Sequence, residues 1–499
     1  MFYFSKSKYC LMWQCPKLLW LSKFHPELKP EDQALQVRFD TGNDVGDLAM
    51  GIFGDYKEVA ALKPDGSQDH GEMIRLTGEY MEKGVDNICE ASFSYKGLYC
   101  AVDVLRKTSG GYAIYEVKSS TDVKPVYCAD IAYQKYVLEH FGINVTGTYL
   151  VCIDNSYVRG EELDIHKLFQ IIDVSDEVKD EMQNVEPLIK KAEQVYAMKT
   201  EPDIDIGGHC FEPYECAFRC HCEEKLPHPN VFDLYRINYD KALELYRQGK
   251  ADFKTLLHDG SITNPKHLRQ MLYAVSDQPD DIDKGNIKSF LSTLTYPLYF
   301  LDFETMQLAV PQFPGTKPYQ QIPFQYSLHY IEREGGPLLH KEFLAESGKD
   351  PRRAIAERLC EDIPKDVCVT AYNKTFECGR INELAETFPD LAEHLLNIKD
   401  NIVDLIVPFR SGWYYNRAMG GNFSIKTVLP ALFPNDPELD YHALEGIHNG
   451  TEAMTIFPQM QFMPPEEQQI TRHNLLEYCK LDTLAMVKLW EKLKEVSKQ

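Results

Sequence analysis

The segment 296-YPLYFLDFE-304 sets two carboxylates into a run that is otherwise apolar. A strand sends alternate side chains to opposite faces, so Asp302 and Glu304, two apart, project from the same one. Two acids on one face of so apolar a strand repel unless a cation sits between them. Further strands are expected at 322–331, at 338–346 and at 366-DVCVTAY-372, which runs into 373-NKTFE-377 and sets Glu377 at the start of a helix. In 475-LLEYCKLDTLAMVKLW-490 the apolar spacing is helical, and Tyr478 and Asp482 lie four apart on one helical face. Asp404, in 402-IVDLIVPF-409, is a rival carboxylate. Oxygen-only ligands of this kind suit Mg²⁺ or Mn²⁺.

A chain of 499 residues exceeds one ordinary core. The pattern predicts an α/β protein in three parts: residues 1–225, a helical connector over 226–290 broken by Pro, Asp and Gly, and 291–499. A formal charge of −23 excludes a generally basic nucleic-acid-binding chain but leaves room for a local Lys/Arg groove. No apolar run approaches a membrane span. Lys6, Lys8 and Lys17 interrupt the apolar N-terminus, which lacks the form of a signal peptide. A cytoplasmic protein without a membrane partner is expected.

In the first part, Asp103 ends a strand, 98-LYCAVD-103, and Glu116 and Lys118 share a face of the next, 112-YAIYEVKSS-120. A hairpin turning at Gly110 and Gly111 brings Asp103 beside Glu116. Gln134 stands on the helix expected over 129–142. The acids can hold a metal, and Lys118 can steady a water or phosphate. An amphipathic helix is expected over roughly 175–199, just before a cysteine crowd.

Of fourteen cysteines, eight are scattered singly and read as small buried apolar residues. The segment 207-GGHCFEPYECAFRCHC-222 differs: Cys210, Cys216 and Cys222 stand six apart, with Cys220 extra. Such crowding reads as metal or cluster binding. A zinc site using His209 or His221 is the second choice.

Two resemblances follow from these residues. The series D-x-E, N-x-x-F-E and Y-x-x-x-D resembles the Tyr subclass of DEDD exonucleases, the DnaQ-like branch of the ribonuclease H fold. It implies a ribonuclease H-like mixed sheet over 291–499, with Asp302, Glu304, Glu377 and Asp482 binding two divalent metals about 4 Å apart. Tyr478 would orient the attacking water. The chain has Glu377 where the family has Asp, and 420-GGNFSIKTVLPALFP-434 resembles a bacterial subfamily. The series Asp103, Glu116-Val117-Lys118 and Gln134 resembles PD-(D/E)XK nucleases of the RecB type, which implies a restriction-endonuclease-like fold for 1–225 with metal on Asp103 and Glu116. Where that family has an upstream His, 42–53 offers Gly46 and Asp47. RecB-like nucleases that carry a 4Fe-4S cluster use one early and three late cysteines, which implies Cys15, Cys210, Cys216 and Cys222, with Cys10 or Cys220 as substitutes. The function implied is metal-dependent hydrolysis of DNA or RNA, with single-stranded ends favoured over duplex as substrate. The alternative is a nucleic-acid-binding or scaffold protein whose nuclease cores have degenerated.

Overall fold

A computed structural model describes residues 3–30, 42 and 44–498. The chain divides into two units, Met1–Leu226 with Leu308–Tyr319, and Pro227–Gln307 with Gln320–Gln499. Both combine helices with mixed sheets.

The first unit is built on seven strands: β1 (Phe4–Ser5), β2 (Lys57–Glu58), β3 (Asn87–Tyr95), β4 (Leu98–Thr108), β5 (Gly111–Lys118), β6 (Val145–Ile153) and β7 (Phe169–Asp173). Their order is β2-β3-β4-β5-β6-β7, with β1 added beside β4. The β3–β4 hairpin turns at Lys96 and Gly97, with φ of 48° and 85°. Positive φ at both positions is what a two-residue turn needs to follow the strand twist. β4 serves two neighbours on one side. Its start pairs in parallel with β1, Phe4 to Leu98 and Ser5 to Tyr99, and from Val104 it pairs with β5. Asp103 lies at that fork, inside β4. The expected strand end at Asp103 is thus corrected: apolar Val104 and Leu105 are fully buried and carry the strand on to Thr108. At the β4–β5 turn, a Cβ on Gly111 would stand 2.1 Å from the Asn144 carbonyl oxygen, so only glycine admits this approach.

Helices Lys6–Gln14, Pro16–Phe24, Pro125–Phe141 and Ser175–Ala197 enclose a core that includes Tyr9, Leu19, Val102, Ile131, Tyr133 and Val178. The helix expected over 129–142 begins earlier because Pro125 can occupy the first turn, where its missing N–H goes unused. It ends at Gly142, at φ 104°.

In the second unit, β8 (Asp281–Ile282) pairs with β14 (Tyr414–Tyr415). The main sheet comprises β9 (Leu298–Gln307), β10 (Gln321–Ile331), β11 (Leu339–Leu344), β12 (Cys368–Ala371) and β13 (Ile402–Asp404), in the order β11-β10-β9-β12-β13. Strands β9, β10 and β11 are antiparallel, whereas β9, β12 and β13 are parallel. Alternation along β9 divides its two faces. Tyr299, Leu301 and Phe303 join helices Arg352–Asp362, Thr375–Thr387 and Ala392–Asp400 in one core. Phe300 faces the other way, its ring 5.8 Å from Trp490 on the 34-residue helix Pro465–Lys498. Asp302 and Glu304 share the parity of Phe300.

The segment expected as a connector forms helices Tyr239–Arg247, Phe253–Asp259, Pro265–Val275 and Lys284–Leu291 and belongs to this second unit. Val231, Leu245, Phe253, Leu256 and Met271 give its first three helices a core. Among the described residues, no helix is long and apolar enough to cross a membrane.

Candidate functional site

β9 and the helix Pro465–Lys498 meet across the acids. One ligand atom from each of Asp302, Glu304 and Cys479 falls within 4.8 Å of the others. Glu304, Glu377 and Asp482 are buried, and Asp302 is half-buried. Burial, then Asp482 and Glu304, push the Asp302 carboxyl well above the usual carboxylate range. Burial, then Asp482, push Glu304 up to about 8, and burial, then Asp404, do the same for Glu377. Burial also raises Asp482, against the lowering effect of Lys426 and hydrogen bonds from Tyr441 and Tyr478. The Tyr441 hydroxyl donates to Asp482 Oδ1 at 2.6 Å, and Lys426 Nζ donates to the Tyr478 hydroxyl at 2.7 Å. Gly450 opens the helix Gly450–Gln459, and a Cβ there would sit 3.5 Å from Glu304 Oε2.

Glu377 Oε2 is buried and has no hydrogen-bond partner among the described residues. An orphaned carboxylate oxygen beside other crowded acids is a cost that a cation relieves. Asp404 has no such vacancy: it accepts from the Asn373 and Ile406 amides at 2.9 and 3.2 Å and pairs with Arg410 at 3.3 Å. Asp404 holds the loop ahead of Glu377 and is spent on that task.

In the first unit, Asp103, Glu116, Lys118 and Gln134 converge as expected, with additions. Asp103 Oδ2 accepts from the Val117 amide at 2.7 Å. Lys118 Nζ donates to Glu116 at 2.7 Å and to Asp130 at 2.9 Å. Gln134 Nε2 donates to the same two acids, at 2.8 and 3.1 Å. Lys6 Nζ lies between Asp103 and Glu116, 3.2 and 3.1 Å away. Burial would raise Glu116, but Lys118 and Lys6 outweigh it and hold the carboxyl well below the usual range. Glu90, opposite Asp103 on β3, is pushed up to about 7 by burial, then by Asp103. Its φ of 55° is rare for a side chain of this size. Asp47 is exposed.

Cys15, Cys210, Cys216 and Cys222 line one small cavity with Lys17 and His209. Gln14 ties the early helix to the late loop, donating to the carbonyls of His209 and Tyr214 at 2.9 and 2.8 Å. Cys220 is exposed, and neither it nor Cys10 lines the cavity. His221 is engaged by Glu201 at 3.0 Å. Burial, then neighbouring thiols, raise Cys216, whereas for Cys222 burial is followed by the opposing effect of Lys17; both stand at about 11. Among the described residues, no three of these sulfurs lie within 4.8 Å of one another.

Residues 299–424 match a family described as a domain of unknown function, DUF2779. The DUF2779 match runs from β9 past β14 and takes in Asp302, Glu304 and Glu377, but stops short of Lys426, Tyr478 and Asp482. No curated protein matches the chain.

Sequence reasoning missed Lys6, Glu90 and Asp130 in one unit and Lys426, Tyr441 and Cys479 in the other. Asp130 carried a signal, one helical turn before Gln134 on the same face. Cys479, between Tyr478 and Lys480, read as a core filler. Lys6 and Lys426 reach their partners across 97 and 52 residues, and no local spacing announces such contacts.

Proposed function

We propose that the chain is a metal-dependent nuclease whose principal site is formed by Asp302, Glu304, Glu377 and Asp482 in a ribonuclease H-like second unit. The observation that carries this is the orphaned Glu377 oxygen among buried acids with raised pKa values. The oxygen-rich donor set fits Mg²⁺ or Mn²⁺. Such ions, when bound, supply Lewis-acid stabilisation to the attacking and leaving oxygens of a phosphodiester.

The chain's own residues do the rest. Asp302, Glu304, Glu377 and Asp482 would hold the cations, and Tyr441 fixes the rotamer of Asp482. Burial, then Asp482, keep the Tyr478 phenol far above its ordinary pKa, so it stays neutral and orients the attacking water. Lys426 donates to that phenol oxygen and so fixes the hydroxyl's orientation, and it would offer a positive charge to a bound phosphate. Purified protein should release mononucleotides from a 3′-labelled single strand when Mn²⁺ is added. Release by Asp302→Asn at the wild-type rate would sink the assignment.

The acid–lysine cluster of the first unit supports a second, RecB-like nuclease site. Lys6 favours the rival reading for that unit, a degenerate core, because its ammonium pairs with both Asp103 and Glu116 where a cation would sit. The four cysteines support a 4Fe-4S cluster. A zinc–sulfur bond of about 2.3 Å implies sulfurs about 3.8 Å apart in a tetrahedron, tighter than this set. Bound there, a cluster would tie the early helix to the late loop.

A further inference from the structure

We propose that a basic, aromatic cavity in the second unit is a subsite for one nucleotide of a single-stranded nucleic acid, taking its phosphate on Arg236 and Lys266 and its base on Tyr235 and Phe423. The cavity holds about 560 Å³, within the range of roughly 300–1,000 Å³ usual for small-ligand sites. Arg236, Lys266 and Arg410 line it, with no acid among the lining residues. In a chain of charge −23 such a concentration of cations stands out.

The cations are set for an anion. Among the described residues, Arg236 and Lys266 form no ion pair; each lies over an aromatic ring, Arg236 over Tyr235 at 5.2 Å and Lys266 over Phe423 at 5.4 Å. The two rings meet edge to face at 5.0 Å. Arg236 adopts a φ of 55°, a left-handed backbone that neighbours must enforce. Gln270 accepts from the Tyr235 amide at 3.0 Å, and His267 bonds its carbonyl at 2.9 Å. Gln270 also donates to the Gly420 carbonyl at 2.7 Å, and a Cβ on Gly421 would collide with it at 2.7 Å. The wall that presents Arg236 is therefore pinned on both sides.

Position supplies the ligand class. Ser424 and Ile425 line the cavity, and Lys426 follows directly and bonds Tyr478. Two residues reach at most about 7 Å, so the cavity wall runs directly into the backbone that carries this lysine. Asn373 lines another wall four residues before Glu377. Phosphate-binding cations and stacking rings beside a phosphodiester site match a strand whose bases are unpaired, because stacking needs a free π face. That the occupant is substrate rests on the nuclease reading; its binding does not.

The test uses full-length protein in chelator, with fluorescent (dT)₁₂ and (U)₁₂ followed by anisotropy across a salt series. Arg236 and Lys266 are exposed, so R236Q/K266Q should fold normally. It should bind at least tenfold more weakly, and the slope of log affinity against log salt should fall by about 0.7 per lost phosphate contact. Phe423→Leu should weaken binding about ten- to a hundredfold with the slope unchanged. A response with (dT)₁₂ alone, (U)₁₂ alone or both identifies the strand as DNA, RNA or either, and each supports the subsite. Wild-type protein that binds neither strand, or R236Q/K266Q that binds both as wild type does, overturns it. Asp302→Asn combined with Lys118→Ala, which removes the lysine of the first-unit cluster, separates the two claims: it should bind normally and not cleave. Normal cleavage by that variant would remove the nuclease reading and leave the subsite standing.

Discussion

Glu377 and Tyr478 show how much one atom decides. Tyr478→Phe removes a hydroxyl and leaves every carboxylate in place. It should slow strand cleavage by about 10²–10⁴-fold, the usual size of a positioning or proton-handling contribution, while calorimetric Mn²⁺ binding persists. Asp302→Asn should lose the binding itself. If both variants bound Mn²⁺ equally and cleaved equally slowly, the roles given to them would be wrong. His329 offers a pH test at a group other than the acids. It is buried against the Thr483 hydroxyl at 2.7 Å, and burial, then His340 and Lys480, hold its pKa down at about 3. The unfolded chain takes up that proton near pH 6.5. Between those values the unfolded state binds more protons, so the His329 contribution is present above pH 6.5 and is lost as pH falls towards 3. Urea unfolding at pH 7.5 and pH 5 should show wild type losing more stability between them than His329→Gln. Equal losses would refute the linkage.

At the scale of elements, two places depend on backbone approach. Gly111→Ala puts a methyl 2.1 Å from a carbonyl at the turn that carries β5, and with it Glu116 and Lys118. The shift needed should destabilise the first unit by about 1–3 kcal/mol, read as a lower unfolding midpoint. An unchanged midpoint would mean that the turn relaxes freely. The helix Pro465–Lys498 is held at its centre by Thr483, whose hydroxyl bonds Ser327 on β10 at 2.7 Å. Ser327 is the register partner of Asp302, so this polar contact sets the height of Asp482 against β9.

Across the whole molecule, each unit owns its acids, so the two sites should act separately. Lys118→Ala should leave Mn²⁺-dependent mononucleotide release intact. Complete loss of activity on every strand, in a variant with normal circular dichroism, would rule out independent sites. The cysteine cavity closes the first unit on itself, from Cys15 to Cys222. Protein purified without oxygen should be brown, and Cys216→Ser should lose iron and soluble yield; stoichiometric zinc without iron would exclude the cluster.

The sequence alone determined β9 and its neighbouring strands, the helix that carries Tyr478 and Asp482, and the shared face of Asp302 and Glu304. Each follows from a period of 2 or 3.6 residues, which is local chemistry. The hairpin that joins Asp103 to Glu116 was legible for the same reason, through Gly110 and Gly111. Only the tertiary structure decided which charges meet those acids. It set Lys6 at the fork of β4, gave Asp404 to the loop amides, bonded Lys426 and Tyr441 to Tyr478 and Asp482, and folded the segment expected as a connector into one wall of a basic cavity. These are contacts between residues far apart in the chain. Their energies depend on burial and distance, and burial and distance exist only once the chain has closed around them.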